Sequence, residues 1–370
     1  SMYSLHKKYA KDGTLLISAS FSRDSFIISK SSILSPHPII IVLLFKSFPN
    51  FSTNVWYEAD MKPLCHFLET RLERIYHYPE PDAGSFCKVA ADYHGLLPEN
   101  VLAGNGATEL FYLVAHAFAG HDTLLPIPSF KEYEDACSLY QHHITFVSHT
   151  NSEDLLSVGS LMFICNPNNP DGRIWSEKEI RAILSANPDR VVVVDESFIW
   201  FAPEASTAVP LLREYPNLLI IRSMTKCYAI PGLRLGYLLG DKHLIAEIAR
   251  FTFPWSVNAL AIEAGKFLLQ SGDSILPDAT NLLERQRCFS AQIAALPGFQ
   301  PLESHTSFFL VHTDADVPCL KQWLLQNHGL LIRDASNFRG LDKHYFRINT
   351  LTDSQNNLLL EALQIWNSVG

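Results

Sequence analysis

Short apolar runs alternate with helix-like periods along most of this chain, and the alternation limits the folds it can adopt. The apolar runs cover residues 101–103, 161–165, 191–194, 218–223 and 236–239. Helical patterns cover residues 107–118 and 173–185. Strands that alternate with helices favour an α/β domain with a mostly parallel sheet. In such sheets, ligand-binding groups gather at the carboxyl ends of the strands.

The pattern changes after residue 251. A break at residues 254–258 precedes a long helical run, and later apolar runs at 308–312 and 345–350 flank a helix near 318–327. This order indicates a second, smaller α+β domain. The expected divisions are an atypical N-terminal segment 1–50, an N-terminal part of the small domain 51–76, a large domain 77–258 and a C-terminal small domain 259–370.

Composition excludes several classes of partner. The chain is 47% apolar and 18% charged, with 29 basic against 38 acidic residues and a net charge of −9. No Lys/Arg block is present, so we expect no nucleic-acid partner. The apolar run 39–45 is too short to span a bilayer and indicates a strand or a buried segment, so we expect no membrane partner. The seven cysteines form no C-x-x-C pair and no signal peptide is evident, which favours the cytoplasm, and no metal site is expected.

The segment from Ser223 to Tyr237 carries the strongest chemical signal. Lys226 follows an apolar strand, Ser223 and Thr225 place hydroxyls beside it, and Arg234 lies eight residues on. A lysine amine can bond to an aldehyde while hydroxyls and a guanidinium hold a phosphate, and pyridoxal phosphate (PLP) carries both groups. The alternative is a surface lysine and arginine beside a turn, which the segment as a whole disfavours.

Other polar groups are expected at the same edge of the sheet. Asn169 lies in the Asn/Pro/Gly-rich stretch 166–172, and Asp195 closes an all-valine run. A buried carboxylate needs a partner, and a protonated pyridine nitrogen would supply one. The glycine-rich turn 104–106 before a helix offers backbone N–H groups to a phosphate. The local alternatives are a simple turn at Asn169 and a helix N-cap at Asp195.

The order and spacing of these residues resemble one enzyme superfamily. Asn169-Pro-x-Gly, Asp195, Ser223-x-x-Lys226 and Arg234-x-Gly are similar to the motifs of fold-type I PLP enzymes of the class I/II aminotransferase superfamily. The resemblance runs from about residue 51 to the C-terminus. It implies an α/β PLP transferase fold of type I, like that of aspartate aminotransferases, in which a large domain with a mostly parallel sheet adjoins a smaller α+β domain.

The resemblance implies roles around the cofactor. Lys226 would bond to PLP and move protons at the α-carbon of the substrate, and Phe130 would stack on the ring. Asn169 would bind the ring's phenolic oxygen alone, because Phe198 stands where many aminotransferases carry a tyrosine, and Asp195 would face the ring nitrogen. The residues implied for the PLP phosphate are Ala107, Thr108, Ser223, Thr225 and Arg234.

The resemblance also implies how substrate and partner bind. Arg347 would grip the substrate carboxylate, since a planar guanidinium suits bidentate binding, and Arg333 would take a substrate phosphate. Asn54 would line the same pocket. Tyr78 would reach the PLP phosphate of a neighbouring subunit, which implies a homodimer with shared active sites.

Further motifs narrow the range of activities that the resemblance implies. Residues 225–237, 254–261, 331–333 and 340–342 resemble the histidinol-phosphate aminotransferase branch, and within it most of all the L-threonine-O-3-phosphate decarboxylases of cobalamin biosynthesis. The alternatives are an aminotransferase acting on histidinol phosphate or a similar compound, and a non-catalytic PLP-fold binding protein. Residues 1–49 lack the N-terminal arm usual in these relatives, so no substrate-phosphate ligand is assigned there.

Overall fold

The computed structural model describes residues 5–9, 15–21, 24–28, 49–150, 152–156 and 159–369. The chain divides into two units, Ser1–Phe48 and Pro49–Gly370. In the first unit three strands form an antiparallel sheet in the order β1-β2-β3, where β1 is Leu5–Tyr9, β2 is Leu15–Phe21 and β3 is Asp24–Ile28. The apolar run 39–45 lies outside the described residues. Within those residues, no helix is long and apolar enough to cross a membrane.

The second unit contains eleven further strands and eleven α-helices in its described part. The strands are β4 Val101–Gly104, β5 Asp122–Ile127, β6 His143–Ser148, β7 Leu161–Cys165, β8 Val191–Asp195, β9 Leu218–Ser223, β10 Gly236–Gly240, β11 Phe299–Pro301, β12 Phe308–Thr313, β13 Arg333–Asp334 and β14 Tyr345–Asn349. The helices are α1 Lys62–Glu69, α2 Gly84–His94, α3 Ala107–Ala117, α4 Lys131–Leu139, α5 Ser152–Leu155, α6 Glu177–Ala186, α7 Lys242–Ala249, α8 Ala259–Gln270, α9 Ala279–Ala294, α10 Val317–His328 and α11 Asp353–Val369.

A seven-stranded sheet forms the centre of the second unit, with strand order β4-β10-β9-β8-β7-β5-β6. The strands β5 to β9 pair in parallel, and only β10 runs antiparallel to its two neighbours. The expected mostly parallel α/β sheet is confirmed. Because β7, β8 and β9 are parallel neighbours, the residues that follow them meet at one edge.

Both faces of this sheet are covered, which explains why its central strands read as continuous apolar runs. Side chains alternate between the faces with a period of two. Val192 and Val194 of β8 join one core cluster together with helices α2 and α8. Val191 and Val193 join the other cluster, which includes α3 and α4.

A four-stranded antiparallel sheet, in the order β11-β12-β14-β13, follows later in the chain. Its core contains aromatic and aliphatic side chains from the sheet and from α9, α10 and α11, among them Phe289, Phe309 and Phe346. Phe51 also packs there, so the chain just after residue 49 belongs to this core. The expected smaller α+β portion is present. The domain boundaries at residues 76 and 258 stay a prediction.

Helix α6 begins four residues later than the apolar pattern indicates, at Glu177 rather than at residue 173. Ser176 and Glu179 form a reciprocal capping box: the Glu179 N–H donates to Ser176 Oγ at 3.2 Å, and the Ser176 N–H donates to Glu179 Oε2 at 2.7 Å. The cap fixes the helix start, so residues 166–176 remain an irregular loop. That loop carries Asn169 into the site.

Candidate active site

A cavity lies past the carboxyl ends of β7, β8 and β9, and it collects most of the side chains that the sequence singled out. Nine predicted residues line it: Ala107, Thr108, Phe130, Asn169, Asp195, Ser223, Thr225, Lys226 and Arg234. Their side chains come from four different strand ends and two helix starts. The convergence of distant segments on one crevice follows from the parallel order of the central strands.

Lys226 is partly buried in this cavity. Burial, followed by the positive charges of Arg347 and Arg234, lowers the pKa of its amine from 10.5 to about 8, while the charge of Asp195 opposes the shift. Its Nζ atom lies 5.8 Å from the centre of the Phe198 ring. A large fraction of the amine is therefore neutral near pH 8, and a neutral amine is the form that attacks an aldehyde.

Asp195 is buried at the base of the cavity. Its Oδ1 atom accepts hydrogen bonds from the Ser197 N–H at 2.9 Å and from the Ser197 hydroxyl at 2.5 Å. Its Oδ2 atom accepts one from the Tyr133 hydroxyl at 2.5 Å. Burial raises the pKa of this carboxyl, whereas these donors and the charge of Lys226 lower it. The helix N-cap alternative for Asp195 is not what the structure shows.

The start of helix α3 meets Arg234 on one side of the cavity. Gly106 has φ +82°, and a Cβ atom there would clash with the Arg234 guanidinium, so only glycine lets the two groups approach. A Cβ atom on Gly236 would lie 2.6 Å from the backbone nitrogen of Ala107. The helix N-terminus, the guanidinium and the hydroxyls of Ser223 and Thr225 thus surround a space suited to a phosphate.

Two arginines from the four-stranded sheet adjoin the cavity. Arg333 and Arg347 are direct neighbours on β13 and β14. Arg347 is buried; Nη1 donates to Asn169 Oδ1, and Nη2 donates to the Ser52 carbonyl at 2.8 Å. Burial and then the nearby Arg333 lower the pKa of Arg347 to about 9.

The contacts of Arg333 are with neutral groups. Nη1 donates to the Asp334 carbonyl at 2.7 Å and Nη2 to Asn337 Oδ1 at 2.9 Å. Among the described residues, no carboxylate forms an ion pair with either Arg333 or Arg347. The Asp334 charge acts on Arg333 without a salt bridge, so two adjacent cations lack direct ion-pair partners in the described part of the chain and indicate a place for anionic groups of a ligand.

Asn54 and Tyr78 do not line the cavity. Asn54 is buried, and neither atom of its amide has a hydrogen-bond partner within the described residues. It follows Ser52, which contacts Arg347, by two residues. Tyr78 is 85% exposed, and its ring centre lies 5.3 Å from that of Trp255 on the surface. Its expected contact with a second subunit stays a prediction.

Four lining or supporting residues were missed by the sequence analysis: Phe111, Tyr133, Cys165 and Ser197. Two of them follow recognised residues closely. Tyr133 lies one helical turn after Phe130, and Ser197 lies two residues after Asp195. Both therefore lie within one helical turn of a residue that the sequence already indicated.

The residues present fit PLP. The phosphate space at α3, the buried carboxylate of Asp195 and the amine of Lys226 supply partners for the three reactive parts of that molecule: its phosphate, ring nitrogen and aldehyde. The amide of Asn169 adds a donor, since its carbonyl oxygen already accepts from Arg347. Fold and site together define a PLP-dependent enzyme of fold type I.

Known proteins agree with this class. A model of the family described as aminotransferase class I and II matches residues 50–363. The chain is 32% identical over 312 residues to threonine-phosphate decarboxylase of Salmonella typhimurium, covering 79% of this chain and 84% of that protein. It is 33% identical over 299 residues to histidinol-phosphate aminotransferase 1 of Carboxydothermus hydrogenoformans, covering 77% and 83%. The crystal structure of L-threonine-O-3-phosphate decarboxylase from Porphyromonas gingivalis superposes with a TM-score of 0.84 at 38% identity, covering 87% of this chain and 100% of that one.

The chain therefore belongs to the aminotransferase class I and II family. It is a PLP-dependent enzyme. The resemblance and the fold class expected from the sequence are confirmed.

Proposed function

We propose that this protein is a PLP-dependent carboxy-lyase that converts L-threonine O-3-phosphate into (R)-1-amino-2-propanol O-2-phosphate, a step of cobalamin biosynthesis. The observation that carries the proposal is the adjacent pair Arg333 and Arg347, which has no carboxylate partner among the described residues. Threonine phosphate presents a phosphate and a carboxylate in one molecule. Histidinol phosphate presents only the phosphate.

The two arginines divide the work of binding in this proposal. Arg347, held by Asn169 and Ser52, binds the substrate carboxylate next to the Lys226 amine. Arg333, held by Asn337, binds the substrate phosphate. Fixing both ends of the substrate restricts rotation about its N–Cα bond, and that rotation decides whether the carboxylate or the α-proton is lost.

The chain's own groups complete the reaction. When bound, PLP accepts the electron pair released at the α-carbon. The bond from the α-carbon to the carboxylate carbon breaks, carbon dioxide leaves, and Lys226 delivers a proton to the α-carbon. Asp195 would face the ring nitrogen of PLP and stabilise its protonated form. Phe130 would cover the ring.

An exposed apolar surface supports a homodimer with shared active sites. Leu72, Ile75, Tyr76 and Tyr78 are more than half exposed, and Phe253 and Trp255 are exposed nearby in the same unit. Such a patch marks an interaction site. In the proposed dimer, Tyr78 reaches the cofactor phosphate in the partner subunit. The proposed location is the cytoplasm, where the seven free thiols would stay reduced.

The second candidate is a histidinol-phosphate-type aminotransferase, favoured by the 33% identical relative of that name. The two activities share their side chains but differ in their need for a second substrate. A transaminase must pass the amino group to a 2-oxo acid, whereas a decarboxylase needs none.

The test is incubation of the PLP-loaded enzyme with L-threonine phosphate in the absence of any 2-oxo acid. We expect carbon dioxide to be released in amounts that exceed the enzyme many-fold. The Lys226→Ala variant, loaded with PLP, is the control for release without enzyme chemistry. Product formation only with a 2-oxo acid, in equal amounts and without gas, would replace the first proposal with the second.

A further inference from the structure

We propose that Tyr133 and Ser197 are positioning residues that hold the Asp195 carboxylate ionised and in a fixed orientation, and thereby keep a proton on the ring nitrogen of the cofactor. The inference rests on the proposed role of Asp195 opposite that nitrogen. Neither residue has a part in the reaction as set out above. Their effect reaches the cofactor only through Asp195.

The hydrogen bonds on Asp195 are unusually complete for a buried carboxylate. Oδ1 receives both the N–H and the hydroxyl of Ser197, at 2.9 Å and 2.5 Å, and Oδ2 receives the Tyr133 hydroxyl at 2.5 Å. Hydrogen bonds donated to a carboxylate favour its charged form and oppose the effect of burial, which raises the pKa of Asp195. Oδ2 also keeps lone-pair capacity for one more donor. A pyridinium N–H would be that donor.

The orientation of Tyr133 is fixed by the aromatic rings around it. Tyr133 is fully buried. Its ring stacks on Phe163 at 5.2 Å with an interplanar angle of 9°, and it meets the rings of Phe111 and Phe130 edge to face at 5.0 Å and 5.8 Å. The packing therefore fixes the ring with its hydroxyl on Asp195 Oδ2, and Cys165 lies beside it. Phe130 immediately precedes α4 and Tyr133 lies in its first turn, so the start of this helix both lines the cavity and supports its carboxylate.

The ionisable groups around Asp195 are consistent with Tyr133 and Ser197 acting as its hydrogen-bond donors. Burial and the charge of Asp195 raise the pKa of Tyr133 well above 10, so its hydroxyl remains a donor at every working pH. Cys165 Sγ lies 4.0 Å from Oδ2, but it donates to the Pro167 carbonyl at 3.2 Å, and burial raises its pKa. Lys226 is the cation that acts on the Asp195 carboxyl. Tyr133 and Ser197 thus donate the short hydrogen bonds to this carboxylate, and the thiol of Cys165 makes a long, weak contact.

The experiment uses the holoenzyme loaded with PLP labelled with ¹⁵N in the ring. The ¹⁵N chemical shift reports directly whether that nitrogen carries a proton. We expect the wild type to show the protonated shift, and Tyr133→Phe and Ser197→Ala to lose part of it, with the greatest loss in the double variant. Since a hydrogen bond to a charged group contributes about 1.5–3 kcal/mol, the PLP dissociation constant should rise about tenfold or more in each single variant.

Two control variants distinguish the possible outcomes of this experiment. Tyr112→Phe removes another tyrosine hydroxyl that donates to a carboxylate, Glu132 at 3.0 Å, away from the cavity, and it should change neither readout. Asp195→Asn tests the underlying role of Asp195. If Asp195→Asn loses the ring proton while Tyr133→Phe and Ser197→Ala keep it, the positioning role is overturned and the role of Asp195 stands. If Asp195→Asn keeps the ring proton, the role of Asp195 fails, and the inference fails with it.

Discussion

The seven-stranded sheet and the four-stranded sheet each bury an arginine, and their surroundings differ. Arg222 of β9 lies 2.7 Å from Glu196 Oε2, donates to the Thr207 hydroxyl at 2.9 Å and lies over the Trp200 ring. Arg347 of β14 donates to an amide oxygen and a carbonyl and lies over the Phe308 ring, and the charge that shifts its pKa is that of another cation, Arg333. One buried cation carries its counter-charge within the fold, and the other does not.

This difference separates an arginine that is paired within the fold from one that is available to bind a ligand. Glu196 is itself held by the Thr207 hydroxyl and by the Ala208 N–H, so the charge of Arg222 is neutralised within the fold without a ligand. The Arg347 site becomes neutral only when an anion enters. A buried, unneutralised cation reduces stability and is retained where a ligand supplies the missing charge. Burial and two cations likewise lower the pKa of Lys226, and the charge of Asp195 opposes that shift only in part.

The largest effect is expected from removing the amine of Lys226, which takes part in the chemistry. Lys226→Ala should reduce turnover about 10⁴-fold, because proton transfer by a positioned group contributes up to that factor and covalent attachment is lost as well. PLP should still bind without a covalent bond. The measurements are steady-state turnover and borohydride trapping of PLP on the chain. Residual turnover within tenfold of wild type would assign the proton transfer to another group.

The next largest effect is expected from removing Arg222, whose charge is neutralised by Glu196. Arg222→Met should destabilise the protein by about 3–5 kcal/mol, because Glu196 is left buried and unpaired. Chemical denaturation of the enzyme without substrate measures the change. The double variant Arg222→Met/Glu196→Gln should recover much of the loss. If Arg222→Met unfolds at the wild-type denaturant concentration, the proposed contrast between the two arginines is wrong.

The matched change at the other sheet should behave in the opposite way. Arg347→Met should lower kcat/KM about 100-fold, since it removes a charged, bidentate contact to the substrate carboxylate. Stability in the same denaturation experiment should fall by no more than about 1 kcal/mol, because an unpaired buried charge disappears. A loss of several kcal/mol would make Arg347 a structural residue like Arg222.

Arg333 should show a smaller and selective effect. Arg333→Ala should reduce kcat/KM about 30-fold for a substrate that carries a phosphate, and much less for the same amino acid without it. Arg339→Ala is the control, because Arg339 is a surface residue paired with Glu134. Equal losses with both substrates would remove the proposed contact between Arg333 and the phosphate.

The smallest effect concerns pH. In the enzyme without cofactor, the covalent capture of PLP requires a neutral Lys226 amine. With a pKa of about 8, the neutral fraction rises about tenfold between pH 7 and pH 9 and then levels off. Absorbance of the bound cofactor after rapid mixing gives the rate. A rate that keeps rising tenfold per pH unit up to pH 10 would mean an unperturbed lysine.

The cofactor side of the site could be predicted from sequence, and the reason is physical. Lys226, Asp195 and Asn169 each follow an apolar strand run, and parallel strands bring their ends together whatever the rest of the chain does. The strands themselves were visible because their central positions are buried on both faces. β5 and β6 were not identified, since β5 contains Pro126 and β6 mixes exposed polar residues with apolar ones.

The contacts that hold the site residues in place could not be predicted from the sequence in the same way. The hydrogen bond from Arg347 to Asn169 joins residues 178 positions apart, and that from Tyr133 to Asp195 joins residues 62 apart. Both depend on how helices and sheets pack, which no local pattern contains. The pairing of Arg222 with Glu196 likewise depends on β8 and β9 being neighbours.

The short segment just after residue 49 has a mechanical consequence. The Phe51 N–H donates to the Leu331 carbonyl at 2.8 Å, and the Phe51 carbonyl accepts from Asn349 at 2.8 Å. Five residues later, the Trp56 N–H donates to the carbonyl of Lys226 at 3.0 Å. Five residues span at most about 17 Å, which sets the greatest possible separation of these two anchor points. A displacement of the four-stranded sheet beyond that reach must move the main chain of Lys226 or break one of these hydrogen bonds.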